Sequence, residues 1–578
     1  MPTFRELQRA ARQPQPQLPV VRLALTGDCA TQMLATALQG EAAMRGFRLE
    51  LFEADYAQVE RSIMDPQSEL RLFQPEVVVV FQCVQAFSRL HARLNMAEKA
   101  LAAEERLTFW REACADEGLK GVKILYLNYP ELDDGIFGSF SNSVAGSLLS
   151  QLRALNQGLA QLSREFSHFS VCDLSALQAQ LGQQRMFAPS IYASTDLTLS
   201  LEALPCVAAR IIDIVAAWRG NFHKVLICDL DNTLWGGVVG DDGMENLQIG
   251  HGLGIGKVYA EIQLWVRKLR ERGIIVCVVS KNDETVAREP FVHHPDMVLR
   301  LDDIAVFIAN WDNKADNVRR VQSILQIGYD QMVFLDDNPF ERAMVRENVK
   351  GICVPELPDD PAEWLDYLAA QNLFETASVG KADAERTAQY QAEQRRQSTA
   401  QKFIDEAAFL ASLQMKAKVE GFTPFNTPRV AQLTQRSNQF NLRTVRYDEA
   451  QIAALETDAA THCMAFSLSD RFGDSGLVSV VVLKELDAHT LFIDTWLMSC
   501  RVLKRGMEDF VMNAICQCAR NTGHTTLKGE YRPTKKNGMV RGLLPQMGFR
   551  LEDSTAEADR YTLDVADYAA KKNFIAEE

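Results

Sequence analysis

Residues 224–243, KVLICDLDNTLWGGVVGDDG, decide how this chain is read. Three apolar residues and a cysteine, Val225 to Cys228, run straight into two aspartates spaced D-x-D, Asp229 and Asp231. Carboxylates that repel one another at the end of a buried strand raise a pKa and weaken the strand's end unless a cation neutralises them. A divalent cation is the expected neutraliser.

Working outward, 578 residues exceed one core, and ordinary domain sizes predict about three domains. A composition of 47 % hydrophobic and 24 % charged residues belongs to the soluble globular class. The opening MPTFRELQRAARQPQPQ has no apolar stretch of a secretion signal, and VVVVF at 77–81 is far too short to span a bilayer. We therefore expect a cytoplasmic protein without a membrane segment. Twelve cysteines, none in a C-x-x-C pair, read as free thiols of a reducing compartment, neither a disulfide framework nor a zinc site. A formal net charge of −15 excludes non-specific nucleic-acid binding, so any anionic partner must meet a local basic patch.

The chain divides by pattern. After an N-terminal arm, 1–19, residues 20–215 alternate strand-like runs (VRLALTG, RLELFEA, EVVVVFQ, VKILYLNY, FSVCDLS) with helical patterns, the mark of an open parallel α/β sheet. A second α/β unit, 222–372, opens on the quoted stretch and continues through IIVCVVSKND, MVLRL and MVFLDDN, with helices near 256–272 and 316–326. Residues 373–415 read as a helical connector. Residues 416–578 read as α+β, with strands in CMAFSLSD, GLVSVVVLKE and TLFIDTWLMSC and a helix in GMEDFVMNAICQCARNTG.

In the middle unit, polar residues fall at the carboxyl ends of successive strands, where open parallel sheets bind ligands. Asp229, Asp231 and Thr233 follow the first; Ser280, Lys281 and Asn282 follow the second; Lys314 lies in NWDNKADN; Asp336 and Asp337 end MVFLDD. Each alone is ordinary turn chemistry, but four in one unit form a constellation. It resembles the haloacid dehalogenase-like phosphohydrolases. The resemblance implies Asp229 as nucleophile, Asp231 as acid and base, Ser280 as donor to the phosphoryl oxygens, and Lys314 as the offsetting charge. It also implies Mg2+ between Asp229, Asp336 and the backbone carbonyl of Asp231, with Thr233, Asn282 and Asp337 supporting the site or the substrate.

The flanking words are narrower. LDNTLWGGVVGDDG, SKNDE, HPDM, NWDNKADN and FLDDNPFERAMVRE together look like the FkbH-like subfamily, with a minimal cap in which Trp235 and glycines 236, 237 and 240 form a short flap. The resemblance continues through RSNQFNLRT, LSDRFGDSGLVSV and MSCRVLKRGMED into a C-terminal domain similar to the GNAT acyltransferases, where an R-x-x-G-x-G loop cradles a pyrophosphate at a helix start. Here Cys500, Arg501, Lys504, Arg505 and Gly506 mark that place, with Lys504 where the first glycine is expected. A side chain at 504 either crowds the diphosphate or supplies a charge to it. Cys500 reads either as a thioester nucleophile or as a structural thiol, and His462 as structural. Arg532, Lys535, Lys536 and Arg541 add basic residues that are either a solvated face or a phosphopantetheine site.

The first unit resembles an SGNH-hydrolase fold. Gly27-Asp28-Cys29 stands where G-D-S is expected, yet Gln82-Cys83 replaces the second motif and Leu199 the histidine near Asp196, so a non-hydrolytic binding domain is expected, with Cys29 a candidate acyl-carrying thiol. For the whole chain the resemblance implies transfer of a glyceryl unit, derived from the small three-carbon phosphate 1,3-bisphosphoglycerate, onto the phosphopantetheine arm of an acyl carrier protein, with loss of phosphate. Such a step belongs to polyketide or other natural-product assembly, or to surface-polysaccharide assembly. Two rivals stay open: a stand-alone phosphatase of a small sugar or acyl phosphate, and a carrier-protein-binding module with vestigial catalysis.

Overall fold

The computed structural model describes residues 2–13, 15–376, 392, 396, 399, 403, 405–499, 502–534, 536–555 and 557–578. They group into two compact units, 1–222 with 366–378, and 223–365 with 379–578. Most of the expected connector, and Cys500, Arg501 and Lys535, lie outside the described residues. No helix among the described residues is long and apolar enough to cross a membrane.

The first unit is built on a parallel sheet of β1 (Val20–Gly27), β2 (Arg48–Glu53), β3 (Val77–Phe81), β4 (Lys123–Leu127) and β5 (Phe169–Cys172), in the order β2-β1-β3-β4-β5. The unbroken apolar run of β3 is explained by burial on both faces. Val77, Val79 and Phe81 enter one core with Leu38 and Ile211, while Val78 and Val80 enter the other with Trp110 and Leu155. The expected N-terminal arm is largely a helix, Phe4–Arg12, because Thr3 and Glu6 form a reciprocal capping box hidden inside a Gln-rich segment. Its Leu7 is fully buried and sits so close to Gly40 that a Cβ there would come within 2.2 Å of the Leu7 carbonyl. The chain also returns to this unit at 366, inside the stretch expected to belong to the middle unit as far as 372: Arg210 donates to the carbonyls of Ala369 and Ala370, and Asn372 Nδ2 donates to Asp213 at 3.0 Å.

The middle α/β unit has four parallel strands, β6 (Val225–Cys228), β7 (Ile275–Ser280), β8 (Val306–Ala309) and β9 (Met332–Leu335), in the order β8-β7-β6-β9. MVLRL, expected as a strand, is not one. Its alternation buries Met297 and Leu299, but the N–H groups of Val298 and Leu299 donate to the Gln263 side chain instead of a neighbouring strand. The third strand lies instead at Val306–Ala309, beyond it.

The C-terminal domain carries one large mixed sheet. Its strands are β10 (Met415–Glu420), β11 (Phe440–Asn441), β12 (Thr461–Asp470), β13 (Gly473–Asp487), β14 (Thr490–Met498), β15 (Thr526–Tyr531), β16 (Arg550–Ser554), β17 (Asp559–Asp564) and β18 (Ile575–Glu577). The order is β16-β17-β15-β14-β13-β12-β10-β18, with β11 on β14. GEYRPTKKNGMVRGLLPQMGF, which resembles the last strand and helix of a GNAT fold, supplies the end of β15 and a short helix, Leu543–Gln546, but is not the end of this fold, since three strands follow it. At the centre, β14 and β15 run parallel and pair only from Thr490/Thr526 to Ile493/Gly529. Beyond that point they part into a fork. β11 enters it and pairs with β14 at Leu497 and Met498.

Candidate active site

The middle sheet gathers Asp229 with partners more than 80 residues away. β6 is central, so Asp229 emerges between its neighbours, and its N–H donates to the Leu335 carbonyl at the end of β9. That register sets Asp229 beside Asp336. Lys314 is the first residue of the helix Lys314–Leu325, which starts there because Asn313 accepts a hydrogen bond from Ala315 N. Its ammonium stands 2.9 Å from Asp229 Oδ2 and 2.6 Å from Asp336 Oδ2. Burial alone would push this ammonium down, but the two carboxylates hold it above the ordinary lysine range.

One lysine does not balance the site. Carboxylate oxygens of Asp229, Asp336 and Asp337 lie within 4.8 Å of one another, and Asp229 Oδ1 is buried without a hydrogen-bond partner. Burial, reinforced by the charge of Asp229, pushes Asp336 up to about 7, and the same two causes raise Asp337. An all-oxygen donor set with an unsatisfied buried carboxylate oxygen suits a small, hard divalent cation. Asp337, expected only to support the site, is near enough to ligate. Its Oδ1 accepts from Thr233 Oγ1 at 3.1 Å, and its N–H donates back to the same hydroxyl.

Asp231 faces a different set of groups. Its Oδ1 accepts from Trp235 Nε1 at 2.9 Å and Val239 N at 3.0 Å, and its Oδ2 from Asn282 Nδ2 at 2.9 Å. Burial pushes its carboxyl above the usual range despite these donors. The two aspartates of D-x-D therefore hold distinct posts, one against the lysine and one in a cradle of N–H donors. The flap glycines fit this frame: Gly236 exchanges backbone hydrogen bonds with Gln248, and a Cβ on it would meet the Gln248 side chain at 2.7 Å and Tyr259 at 2.9 Å. Trp235 is a buried anchor of the flap, edge-on to Phe291, and not an exposed lid. Ser280 is buried at the end of β7, while Lys281 turns to Glu341 at 2.6 Å.

Arg342 escaped sequence reading. Buried at the first turns of the helix Pro339–Asn348, its Nη1 donates to the carbonyls of Asp336 and Asp337 at 2.9 and 2.6 Å, fixing the strand-end turn that presents both carboxylates. Its position six residues after Asp336 was the available signal.

The solved N-terminal part of protein BF1531 from Bacteroides fragilis, described as containing a phosphatase domain complexed with Mg, is 52 % identical over 65 % of this chain and 100 % of its own, with a TM-score of 0.64. The family model for the FkbH N-terminal domain matches residues 22–216. The chain belongs to the FkbH-like family. Its middle unit is the haloacid dehalogenase-like domain of that family. No curated protein matches the chain. The ribosomal-protein-S18-alanine N-acetyltransferase of Escherichia coli aligns with 26 % of this chain and 94 % of its own at 13 % identity, TM-score 0.21. Spermidine N-acetyltransferase of Vibrio cholerae aligns with 26 % and 98 % at 12 % identity, TM-score 0.22. The character of the C-terminal domain of this FkbH-like chain is carried by its own mixed sheet and forked parallel pair.

That fork is filled from within. Leu442 N donates to the Trp496 carbonyl, Arg532 N donates to the Leu442 carbonyl, and Arg443 bridges Glu530 at 2.8 Å and Asp494 at 2.9 Å. The expected anion loop is likewise occupied. Lys504, in a left-handed conformation (φ 61°), and Gly506 precede the helix Met507–Asn521. Glu508, in its first turn, accepts from Lys504 N, and Arg505 is buried 3.6 Å from Asp470. The expected basic face is partly paired too, Lys528 with Glu552 and Arg532 with Glu530. His462 contacts Glu485 at 3.1 Å, apart from this loop.

Proposed function

We propose that the chain is a Mg2+-dependent phosphohydrolase working through an aspartyl phosphate at Asp229, and that its task is to load a glyceryl unit from 1,3-bisphosphoglycerate onto the phosphopantetheine thiol of an acyl carrier protein. The buried, unpartnered Oδ1 of Asp229 among three carboxylates carries the first half. In this reading Asp229 attacks phosphorus as the bond to the leaving oxygen breaks. Asp231 protonates that oxygen, then takes a proton from the water that splits the Asp229–phosphorus link, releasing phosphate and restoring both carboxyls. Ser280 and Lys314 hold the phosphoryl oxygens. Mg2+ held by Asp229, Asp336 and the Asp231 carbonyl, with Asp337 beside it, would neutralise the phosphoryl charge. Trp235, Val239 N and Asn282 hold both oxygens of Asp231, a set of partners separate from the lysine that pairs with Asp229.

The loading half is supported by membership of the FkbH-like family and by a C-terminal domain of acyltransferase type. Carrier proteins are usually acidic, and the exposed basic residues Lys504, Arg532, Lys536 and Arg541 are where such a partner would approach in a cytoplasmic setting. A stand-alone phosphatase is the second reading, favoured by the self-filled fork, where β11 takes up the β14 edge that an extended arm would pair with. Vestigial catalysis is disfavoured by the assembled Asp229, Lys314 and Asp336.

The test is intact-mass spectrometry of a phosphopantetheinylated carrier protein incubated with this protein, Mg2+ and a 1,3-bisphosphoglycerate-generating system, beside Asp229→Asn. A glyceryl adduct with the wild type, lost or still phosphorylated with the variant, is the expected result. Phosphate release that needs Asp229 without any adduct would leave the stand-alone phosphatase.

A further inference from the structure

We propose that Cys29, Cys83 and Asp28 form a binding site for a thiophilic divalent metal ion, Zn2+ by preference, at the carboxyl end of the first unit's sheet. The register brings them together. Gly27 of β1 is paired with Phe81 of β3, so the residues that follow, Asp28-Cys29 and Gln82-Cys83, leave the sheet side by side. One carboxylate oxygen of Asp28 and the two sulfurs lie within 4.8 Å of one another. On a tetrahedral zinc two sulfurs stand about 3.8 Å apart, so the three donors need only a small inward shift to share one ion.

The surroundings define the chemistry. The backbone of Cys83 donates to Asp28 Oδ1 at 2.7 Å, fixing the carboxylate toward the second thiol, while Ala86 N donates to the Cys83 sulfur at 3.3 Å and Thr198 Oγ1 lies 3.9 Å from the Cys29 sulfur. Both sulfurs are almost wholly buried, while Asp28 stays partly exposed and gives a route to solvent. Two thiolates, one carboxylate and a divalent ion sum to one negative charge. Burial raises the Asp28 carboxyl above its usual range, and the charge of Arg106, which donates to Tyr129 at 3.0 Å, opposes that rise and offsets the cluster's negative charge. The cluster contains no histidine, and hydrogen bonding to Cys83 together with burial pushes the Cys29 thiol well above its ordinary range. A metal inverts that logic, because a coordinating thiol gives up its proton. Three protein donors leave a fourth position for water or a substrate oxygen. The short sequence spacing that marks most zinc sites is missing because the two cysteines meet only through strand pairing.

Cobalt(II) is the probe. The full chain, stripped of metal and kept reduced with a phosphine, is titrated with Co2+ and followed by absorbance. One equivalent is expected to give the near-ultraviolet sulfur-to-cobalt band and the strong visible bands of a tetrahedral thiolate site. Both are lost in Cys29→Ser and Cys83→Ser, retained in Cys206→Ser, and retained in Asp229→Asn. If the serine variants do not fold, as judged by melting, Asp28→Asn decides the matter, with affinity for Co2+ falling roughly tenfold or more. Absence of a thiolate band in the wild type, or a band that survives loss of Cys29 and Cys83, or an Asp28→Asn affinity equal to the wild type's, overturns the site.

Discussion

At the carboxyl ends of β6 and β9 the chain gathers three carboxylates around one lysine; at the carboxyl ends of β1 and β3 it gathers two thiols and one carboxylate near an arginine. The geometry is the same in both. Two parallel strands in register end together, and the residues just past them become neighbours whatever their separation in sequence. The donor atoms differ. Oxygen donors around Asp229 suit a hard cation and a phosphoryl group, whereas sulfur donors at Cys29 and Cys83 suit a softer one. Topology supplies the place, and side-chain chemistry selects the occupant.

The largest expected effect falls on the oxygen site. Asp229→Asn should cut phosphate release by roughly 10³-fold or more while leaving the thiolate–cobalt band intact, read by a released-phosphate assay beside the absorbance titration. Full activity in that variant would break the comparison, because the D-x-D end would then be a structural turn. Next, Lys314→Met strands two buried carboxylates and should lower metal-free stability by about 3–5 kcal/mol in denaturant unfolding, with Mg2+ recovering part of the loss. A variant as stable as the wild type would mean that these acids are already protonated or solvated. Asn282→Ala takes one donor from Asp231, a hydrogen bond to a charged group being worth about 1.5–3 kcal/mol, so kcat should fall roughly tenfold to a hundredfold with little change in KM. An effect on KM alone would move Asn282 from the acid to the substrate. The smallest change belongs to the thiol side: Trp110→Phe removes the indole donor to Gln82 and should cost about 1 kcal/mol of stability without altering phosphate release.

The phosphatase-like site was legible because its chemistry is written in contiguous words. Asp229, Asp231 and Thr233 sit within one turn, and Asp336 with Asp337 within another, each directly after a short apolar run. The five parallel strands of the first unit could be read the same way. MVLRL misled because alternation records burial, and an extended segment can bury alternate residues while bonding to a side chain such as Gln263. The N-terminal helix was hidden because its Gln-rich neighbourhood outweighed the Thr3/Glu6 capping box, and its stability comes from seating Leu7 against Gly40. In the C-terminal domain the loop residues 504–506 were located, but their partners Asp470 and Glu508 were not expected.

Sequence alone determined the strand-end aspartates, the lysine between them, the order of the α/β and α+β regions and the membership these words imply. The aspartates and the order of the regions depend on residues close in the chain, where local propensity and burial act directly, while Lys314, more than 80 residues from Asp229, was singled out by the words that carry the family resemblance. Only the tertiary structure decided that Asp337 joins Asp229 and Asp336 in one carboxylate cluster, that Arg342 clamps the carbonyls behind it, that residues 440–443 fill the fork between β14 and β15, and that Cys29 meets Cys83. Each of these depends on register between strands or on a long side chain crossing from another element. A one-residue slip in pairing would move each cluster apart, so its existence is a property of the packed sheet and is not carried by any one stretch of chain.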